Sequence, residues 1–146
     1  MRNFLAAIVL TLPLAACSGA ADGAVATATG EEPSVVAMSV DEIAALRDAG
    51  AIADGELTLV DVRTVEEHRG GNIGGSLLMP LDAFDPVDLA GTDPDTVVFY
   101  CRSGRRSAIA AGQFARYTGR PARHMDGGIL AWDAAGKDIF HPYVIE

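Results

Sequence analysis

Residues 96–107 read Thr-Val-Val-Phe-Tyr-Cys-Arg-Ser-Gly-Arg-Arg-Ser, an apolar run that leads into a cysteine and a basic loop. The run at 96–100 is rich in β-branched and aromatic residues, which predicts a buried strand. Cys101 follows the run directly, and a helix is predicted over 107–117 with Gly119 as its cap. The pattern therefore predicts a cysteine between the end of a strand and the start of a helix.

A cysteine in this place faces unpaired backbone N–H groups and the positive end of the helix dipole. These groups and neighbouring arginines lower the pKa of a thiol and favour the thiolate, which is the nucleophile. Three of the chain's 11 basic residues lie between positions 102 and 106. We therefore interpret Cys101 as a reactive nucleophile in an anion-binding loop. The alternative is a buried structural cysteine near solvated arginines.

The segments on either side of this stretch alternate between predicted strands and helices. Upstream, residues 57–60 predict a strand and residues 64–69 a short helix; downstream, residues 122–125 predict a strand and residues 128–135 a helix. The strand segments are continuously apolar, which is typical of a parallel sheet covered on both faces. We therefore predict an α/β domain. Ligands of such sheets bind beyond the carboxyl ends of the strands, where Cys101 is expected.

Two helices are predicted with defined inward faces. Ser39 followed three residues later by Glu42 forms a capping box that starts the first helix, and Gly50 ends it. Helical spacing predicts an inward face for this helix and for the helix after the loop. These faces are Ile43, Leu46 and Ala49 in the first, and Ala110, Phe114 and Tyr117 in the second.

The first 16 residues have the pattern of a secretory signal, with one arginine, about a dozen mostly apolar residues and then small residues. The apolar run is shorter than the roughly 20 residues that span a bilayer. Residues 14–17, Leu-Ala-Ala-Cys, resemble the lipobox of bacterial lipoproteins, which implies lipidation of Cys17, export to the periplasm and a membrane anchor. Ser18 favours the outer membrane over the inner one. The alternative is a plain signal peptide with an incidental cysteine.

Composition divides the rest of the chain into a tether and one domain. Residues 17–33 are small and polar without an apolar period, which predicts a flexible tether, and the folded domain is expected over 34–146. The chain has 146 residues, with 20 acidic and 11 basic side chains and a formal charge of −9, which argues against a nucleic-acid partner. Two cysteines are too few for a disulfide scaffold, and no zinc-ligand spacing is present.

Three blocks of this sequence together resemble the rhodanese family. Residues 101–107 resemble its active-site loop, residues 61–76 its upstream signature and residues 126–132 its C-terminal signature. The blocks occur in the family's order and spacing, between about residues 36 and 139. The resemblance implies a five-stranded parallel sheet with helices on both faces. It also implies transfer of sulfane sulfur through a cysteine persulfide, with no metal and no organic cofactor.

The resemblance further implies a role for each residue of the site. Cys101 would carry the persulfide, and the backbone N–H groups of residues 102–106, which include Ser103 and Gly104, would hold its outer sulfur. Arg102 and Arg105 would recruit a small anionic donor such as thiosulfate, and cyanide or a thiol would accept the sulfur in a ping-pong cycle. Arg106 would pair with Glu67. The supporting residues would be Asp61, Arg63, Glu67 and Ser107.

Two positions depart from the family pattern. Asn72 stands where the family usually has a histidine of structural role, and His68 stands at a usually aromatic position, where we expect it to pack. Cys101 is the only thiol left after lipidation of Cys17, and the periplasm is oxidising. We therefore expect Cys101 to be shielded by its loop or kept as a persulfide.

Two other functions remain open on the sequence. Phosphatases and arsenate reductases of the same fold have an arginine six positions after the cysteine, but Ser107 occupies that position here and Arg106 precedes it. A loop of this length is too small for phosphate. The other alternative is a module that relays sulfur to a protein acceptor, or binds that protein, without turnover on small molecules.

Overall fold

The computed structural model describes residues 33–142. The predicted signal segment 1–16, the lipidation site Cys17 and the tether as far as residue 32 lie outside the described residues, as do residues 143–146. Over residues 33–142, no helix has the length and apolar character needed to cross a bilayer.

A parallel five-stranded sheet forms the centre of the described domain. Its strands are β1 Val35–Met38, β2 Thr58–Asp61, β3 Leu77–Leu78, β4 Val97–Tyr100 and β5 Ala122–Met125. Their order across the sheet is β1-β5-β4-β2-β3, and every neighbouring pair is parallel. The helices are α1 Val40–Asp48, α2 Val65–Arg69, α3 Arg105–Thr118 and α4 Gly128–Ala134, with short 3₁₀ turns at Pro86–Leu89 and Pro94–Thr96.

Two apolar layers cover the two faces of the sheet, because side chains alternate between faces along each strand. On one face, Tyr100 packs in a cluster with Ile43 of α1 and Trp132 of α4. On the other face, Phe99 packs against Phe114 of α3, with ring centroids 5.5 Å apart in an edge-to-face arrangement. The predicted α/β architecture, with a parallel sheet and helices on both faces, is confirmed.

Local sequence signals agree with most of the observed element boundaries. The capping box of Ser39 and Glu42 starts α1, Gly50 follows the end of α1 with a φ of +91°, and Gly119 caps α3 with a φ of +68°. The apolar pattern did not predict two strands, β1 and β3. Both lie at the edges of the sheet, where β1 is largely exposed and β3 has only two residues.

Three residues predicted to face inward are instead exposed. Leu46 is 40% exposed and Tyr117 is 49% exposed, and Ala49 is exposed as well. Helix α1 is short and buries only Ile43 and Ala44. Helix α3 turns a different stripe toward the sheet. That stripe consists of Ser107, Ala110, Ala111, Phe114 and Ala115.

Candidate active site

Cys101 lies at the carboxyl end of the central strand β4, four residues before α3 begins. Its side chain is on the face covered by α3, and the residue is only 1% exposed. The backbone N–H of Gly104 donates to Sγ of Cys101 over 3.2 Å. The predicted position between strand and helix is confirmed, and so is the shielding of the thiol by its loop.

The surroundings of Cys101 lower the pKa of its thiol. Burial raises the pKa of Cys101, but the nearby backbone N–H and hydroxyl of Ser107 lower it. The backbone N–H groups of Ser103 and Gly104 lower it further, so the net pKa is below that of an ordinary cysteine. The loop therefore makes this buried thiol easier to deprotonate than an ordinary cysteine.

The first turn of α4 supports the loop from behind. The N–H of Ile129 donates to the carbonyl oxygen of Cys101 over 2.8 Å, and the N–H of Leu130 donates to that of Arg102 over 3.1 Å. Gly128 makes this approach possible, because a Cβ there would lie 2.6 Å from the backbone carbon of Arg102. The C-terminal signature of the sequence is thus a structural wall of the candidate site.

The three arginines that follow Cys101, one in the loop and two in the first turn of α3, differ in their surroundings. Arg102 and Arg105 are exposed, and within residues 33–142 no ion pair joins either of them to a carboxylate. Arg106 forms two hydrogen bonds of 2.7 Å with the carboxylate of Glu67. The expected pairing of Arg106 with Glu67 is present. Arg102 and Arg105 are therefore the two arginines that are available to bind an anion from solvent.

Asp61 and Arg63 form a buried ion pair that supports the loop indirectly. Nη2 of Arg63 lies 2.6 Å from Oδ2 of Asp61, and the side chains are 6% and 0% exposed. Arg63 also donates to the carbonyl oxygens of Glu67, over 3.3 Å, and of Gly71, over 2.8 Å. Among the described residues, no hydrogen bond joins this pair to residues 102–106. The ion pair reaches the loop only through Glu67. Arg63 donates to the carbonyl oxygen of Glu67, and the carboxylate of Glu67 accepts from Arg106.

His68 was expected only to pack, and that expectation was incomplete. Its Nδ1 lies 2.9 Å from Oδ2 of Asp61, so the ring is a polar partner of the buried carboxylate. Asn72 is 4% exposed, and its side-chain amide donates to the carbonyl oxygen of His68 over 3.2 Å. Asn72 also pairs through its backbone with Phe140. Asn72 thus has a structural role here, as the histidine usually does at this position in the family.

We expect the pairing of Glu67 with Arg106 to make the free energy of unfolding depend on pH in the acid range. The hydrogen bond from Arg106 lowers the pKa of Glu67 from 4.5 to about 2. The folded protein therefore binds fewer protons at this site than the unfolded chain, and the stabilisation is fully present above about pH 4.5. It is lost as the pH falls through about 2. The Glu67→Gln variant should reduce the slope of the free energy of unfolding against pH in this window.

Urea unfolding at a series of pH values measures that slope. Glu66→Gln is the matched control, because Glu66 is exposed on the same helix and has no ion pair within residues 33–142. An equal change of slope in the two variants would contradict the assignment of this pH dependence to the pairing of Glu67 with Arg106.

Two clefts border the loop and share Arg102 as a common wall. One has a volume of about 300 Å³ and lies between Arg102, the segment at Gly70 and Gly71, and the start of α4. The other has a volume of about 440 Å³ and lies between the loop and the first turn of α3. Exposed cationic groups and a shielded thiol of lowered pKa thus lie together at the carboxyl end of β4, an arrangement suited to nucleophilic attack on an anion.

Comparisons with known proteins agree with this geometry. An uncharacterized protein of Synechocystis sp. is 37% identical over 78 residues, which are 53% of this chain and 44% of that protein, so this chain spans less than half of its length. A sulfurtransferase of Allochromatium vinosum is 34% identical over 105 residues, which are 70% of this chain and 97% of that protein.

Structural comparison and the family model give the same assignment. The crystal structure of a thiosulfate sulfurtransferase from Pseudomonas aeruginosa has a TM-score of 0.61 and 28% identity, and the match covers 73% of this chain and 20% of that one. The model of the rhodanese-like domain matches residues 39–135, which is more than half of the chain. The fold, the cysteine loop and these matches together establish that the chain belongs to the rhodanese-like domain family.

Proposed function

We propose that this domain is a sulfurtransferase that moves sulfane sulfur through a persulfide on Cys101. The observation that carries the proposal is the thiol at the end of β4, which accepts the N–H of Gly104 and has a lowered pKa. The exposed Arg102 and Arg105 beside it support an anionic donor, for which thiosulfate is the simplest example. The sulfurtransferase relatives support the same class of reaction.

The proposed reaction has two half-steps and needs no oxidant. The Cys101 thiolate attacks the outer sulfur of thiosulfate, an S–S bond forms to Sγ, and the S–S bond of the donor breaks as sulfite leaves with the electron pair. The backbone N–H groups of the loop stabilise the persulfide anion, and the arginines stabilise the departing anion. Cyanide or a thiolate then attacks the outer sulfur and regenerates the Cys101 thiolate.

Mass spectrometry of the intact protein tests the first half-step. In a Cys17→Ser background, Cys101 is the only thiol of the chain. Incubation with thiosulfate should add the mass of one sulfur atom, and Cys101→Ser in the same background should add none. The persulfide forms only on the thiolate, so the control removes the nucleophile and keeps the size of the side chain. A wild-type thiol that alkylates readily and gains no sulfur would contradict the proposal.

The second half-step distinguishes a sulfurtransferase, which turns over on small acceptors, from a module that relays sulfur only to a protein. Discharge of the persulfide by cyanide or a small thiol, with repeated cycles, is expected for a sulfurtransferase. A persulfide that forms but is not discharged by cyanide or a small thiol would instead support the alternative, a module that passes sulfur to one protein acceptor. A phosphatase is less well supported, because Arg106, the last arginine of the loop, is held by Glu67.

We also propose that the protein is exported and anchored in a membrane by a lipid on Cys17, with the outer membrane favoured by Ser18. The sequence at 14–17 and the preceding apolar run support this. Growth with a fatty-acid analogue should label the wild-type protein and should not label Cys17→Ser. Equal labelling of both would contradict lipidation at this cysteine.

A further inference from the structure

His124 is a titratable residue beside the thiol loop that the proposed reaction does not use. It lies on β5, next to the central strand β4, and its side chain is half-buried. Nδ1 of its ring lies 3.5 Å from the hydroxyl oxygen of Ser107, which is in the first turn of α3. The ring of His124 is therefore within hydrogen-bonding reach of a residue that borders Cys101.

The hydroxyl of Ser107 has one hydrogen, and its use decides how the oxygen meets His124. Ser107 is fully buried, and its hydroxyl donates to the carbonyl oxygen of Gly104 over 2.9 Å. Since that bond uses the only hydrogen of the hydroxyl, the oxygen meets the ring as an acceptor. The hydrogen-bond pattern therefore assigns the Nδ1–H tautomer to His124.

The surroundings of His124 favour a neutral ring near pH 7. Burial lowers the pKa of His124 from its usual value of 6.5, and Asp126 and the backbone of Met125 oppose this effect only in part. The residues paired with it on the neighbouring strands, Phe99 of β4 and Ala37 of β1, are apolar. A neutral ring donates through one nitrogen only, so its single N–H is the group that acts on Ser107.

Ser107 connects this histidine to the thiol in two ways. Its nearby hydroxyl lowers the pKa of Cys101. Its bond to the carbonyl oxygen of Gly104 also holds the residue whose N–H donates to Sγ of Cys101 over 3.2 Å. Hydrogen bonds in a chain polarise one another, so an N–H that donates to the oxygen of a hydroxyl makes that hydroxyl a stronger donor. The N–H of His124 therefore strengthens the donor that faces the thiolate of Cys101.

We propose that His124 is a positioning residue of the sulfur-transfer site and acts on Cys101 through the hydroxyl of Ser107. This inference rests on the proposed function and adds a residue to its site. The contact of 3.5 Å between His124 and Ser107 is long for a hydrogen bond. We expect it to shorten when the thiolate forms, because such contacts tighten as the reacting charge develops.

Two substitutions at His124 separate the donated hydrogen bond from the presence of a ring. His124→Phe keeps a ring and loses the donor, whereas the amide of His124→Asn keeps an N–H near the position of Nδ1. The pKa of Cys101 is obtained from the rate of alkylation by iodoacetamide against pH, followed by intact mass in the Cys17→Ser protein. We expect this pKa to rise by about half a unit to one unit in His124→Phe. In His124→Asn it should stay within about 0.2 of the wild-type value.

Sulfur loading by thiosulfate gives a second readout. At a pH below the pKa of Cys101, His124→Phe should load about two- to fourfold more slowly, because the smaller thiolate fraction outweighs the greater nucleophilicity of a more basic thiolate. Adding His124→Phe to Ser107→Ala should change neither readout further, since the connecting hydroxyl is then absent. His141→Phe is the matched control and should keep both wild-type values. The ring of His141 is exposed and bonds instead to the carbonyl oxygen of Gly70.

Three results would overturn the role of His124. They are an unchanged pKa of Cys101 in His124→Phe, an equal rise in His124→Asn, and a rise that persists in the Ser107→Ala background. In each case, loading of the wild-type protein by thiosulfate would still support the proposed function. A wild-type protein whose reduced thiol takes up no sulfur would overturn the proposed function, and with it any part of His124 in sulfur transfer.

Discussion

Replacing Gly128 with alanine should reduce sulfur loading of Cys101 at least about a hundredfold and destabilise the domain by about 3 kcal/mol or more. Gly128 has a φ of +58°, which an alanine adopts only with strain. Its added Cβ would lie 2.7 Å from the carbonyl oxygen of Arg102 and would also clash with that of Cys101. Both are backbone atoms of the reactive loop, so relief of the clash requires the loop to move.

The same movement would break two hydrogen bonds that hold the loop. The N–H groups of Ile129 and Leu130 donate to the carbonyls of Cys101 and Arg102, and these bonds need the close approach that glycine allows. The N–H groups around Sγ would then lose their alignment, and the pKa of Cys101 should rise. Intact-mass loading with thiosulfate and urea unfolding measure the two effects.

Gly136→Ala is the matched control for backbone strain. Gly136 also has a positive φ, +66°, but a Cβ there would have no heavy atom within 4 Å. This variant should lower the free energy of unfolding by only about 1–2 kcal/mol and should keep the wild-type rate of sulfur loading. Wild-type loading in Gly128→Ala would show that the loop does not depend on its contact with the first turn of α4.

Replacing Asp61 with asparagine should lower the free energy of unfolding by about 3–5 kcal/mol. The carboxylate is fully buried and accepts from Nε of Arg63 over 2.9 Å and from Nη2 over 2.6 Å. It also lies 2.9 Å from Nδ1 of His68. The variant keeps the shape of the side chain and removes the charge, so the guanidinium of Arg63 remains buried without a counter-ion.

A double variant distinguishes loss of the ion pair from loss of packing. Removing both charges in Asp61→Asn with Arg63→Met should recover part of the stability, because the uncompensated charge is then absent. Asp48→Asn is the exposed control, since Asp48 pairs with Arg47 at the surface and its side chain is 66% exposed. That variant should change the free energy of unfolding by less than about 1 kcal/mol. Urea unfolding of the four proteins checks the prediction, and equal costs for Asp61→Asn and Asp48→Asn would contradict it.

The sequence predicted the nucleophile because the signal is local. A β-rich run, Cys101, a short basic loop and a helix follow one another within about 20 residues, and each element depends mainly on its own residues. The same holds for the capping box at Ser39 and for Gly119 at the end of α3. The pairing of Arg106 with Glu67 spans 39 positions, and only the resemblance to a known family pointed to it.

The sequence alone did not show the residues that join the loop to the rest of the domain. The sequence marked residues 126–132 only as a block that resembles a family signature, but Gly128 in this block is where the backbone of α4 meets the loop. His68 was expected to pack, yet it bonds to a buried carboxylate. Nothing in the local sequence indicated either contact, because each depends on which residue lies opposite in the folded structure.

Local chemistry thus determined the α/β class, the position of Cys101 after a buried strand and the basic character of its loop. Tertiary structure decided which partners those groups have. The strand order β1-β5-β4-β2-β3 brings the end of β5, and the segment after it, beside the end of β4, so that Gly128 supports the thiol loop. It also decided that Ile109 and Leu46 face outward, since burial depends on what packs against a helix and not on helical spacing alone.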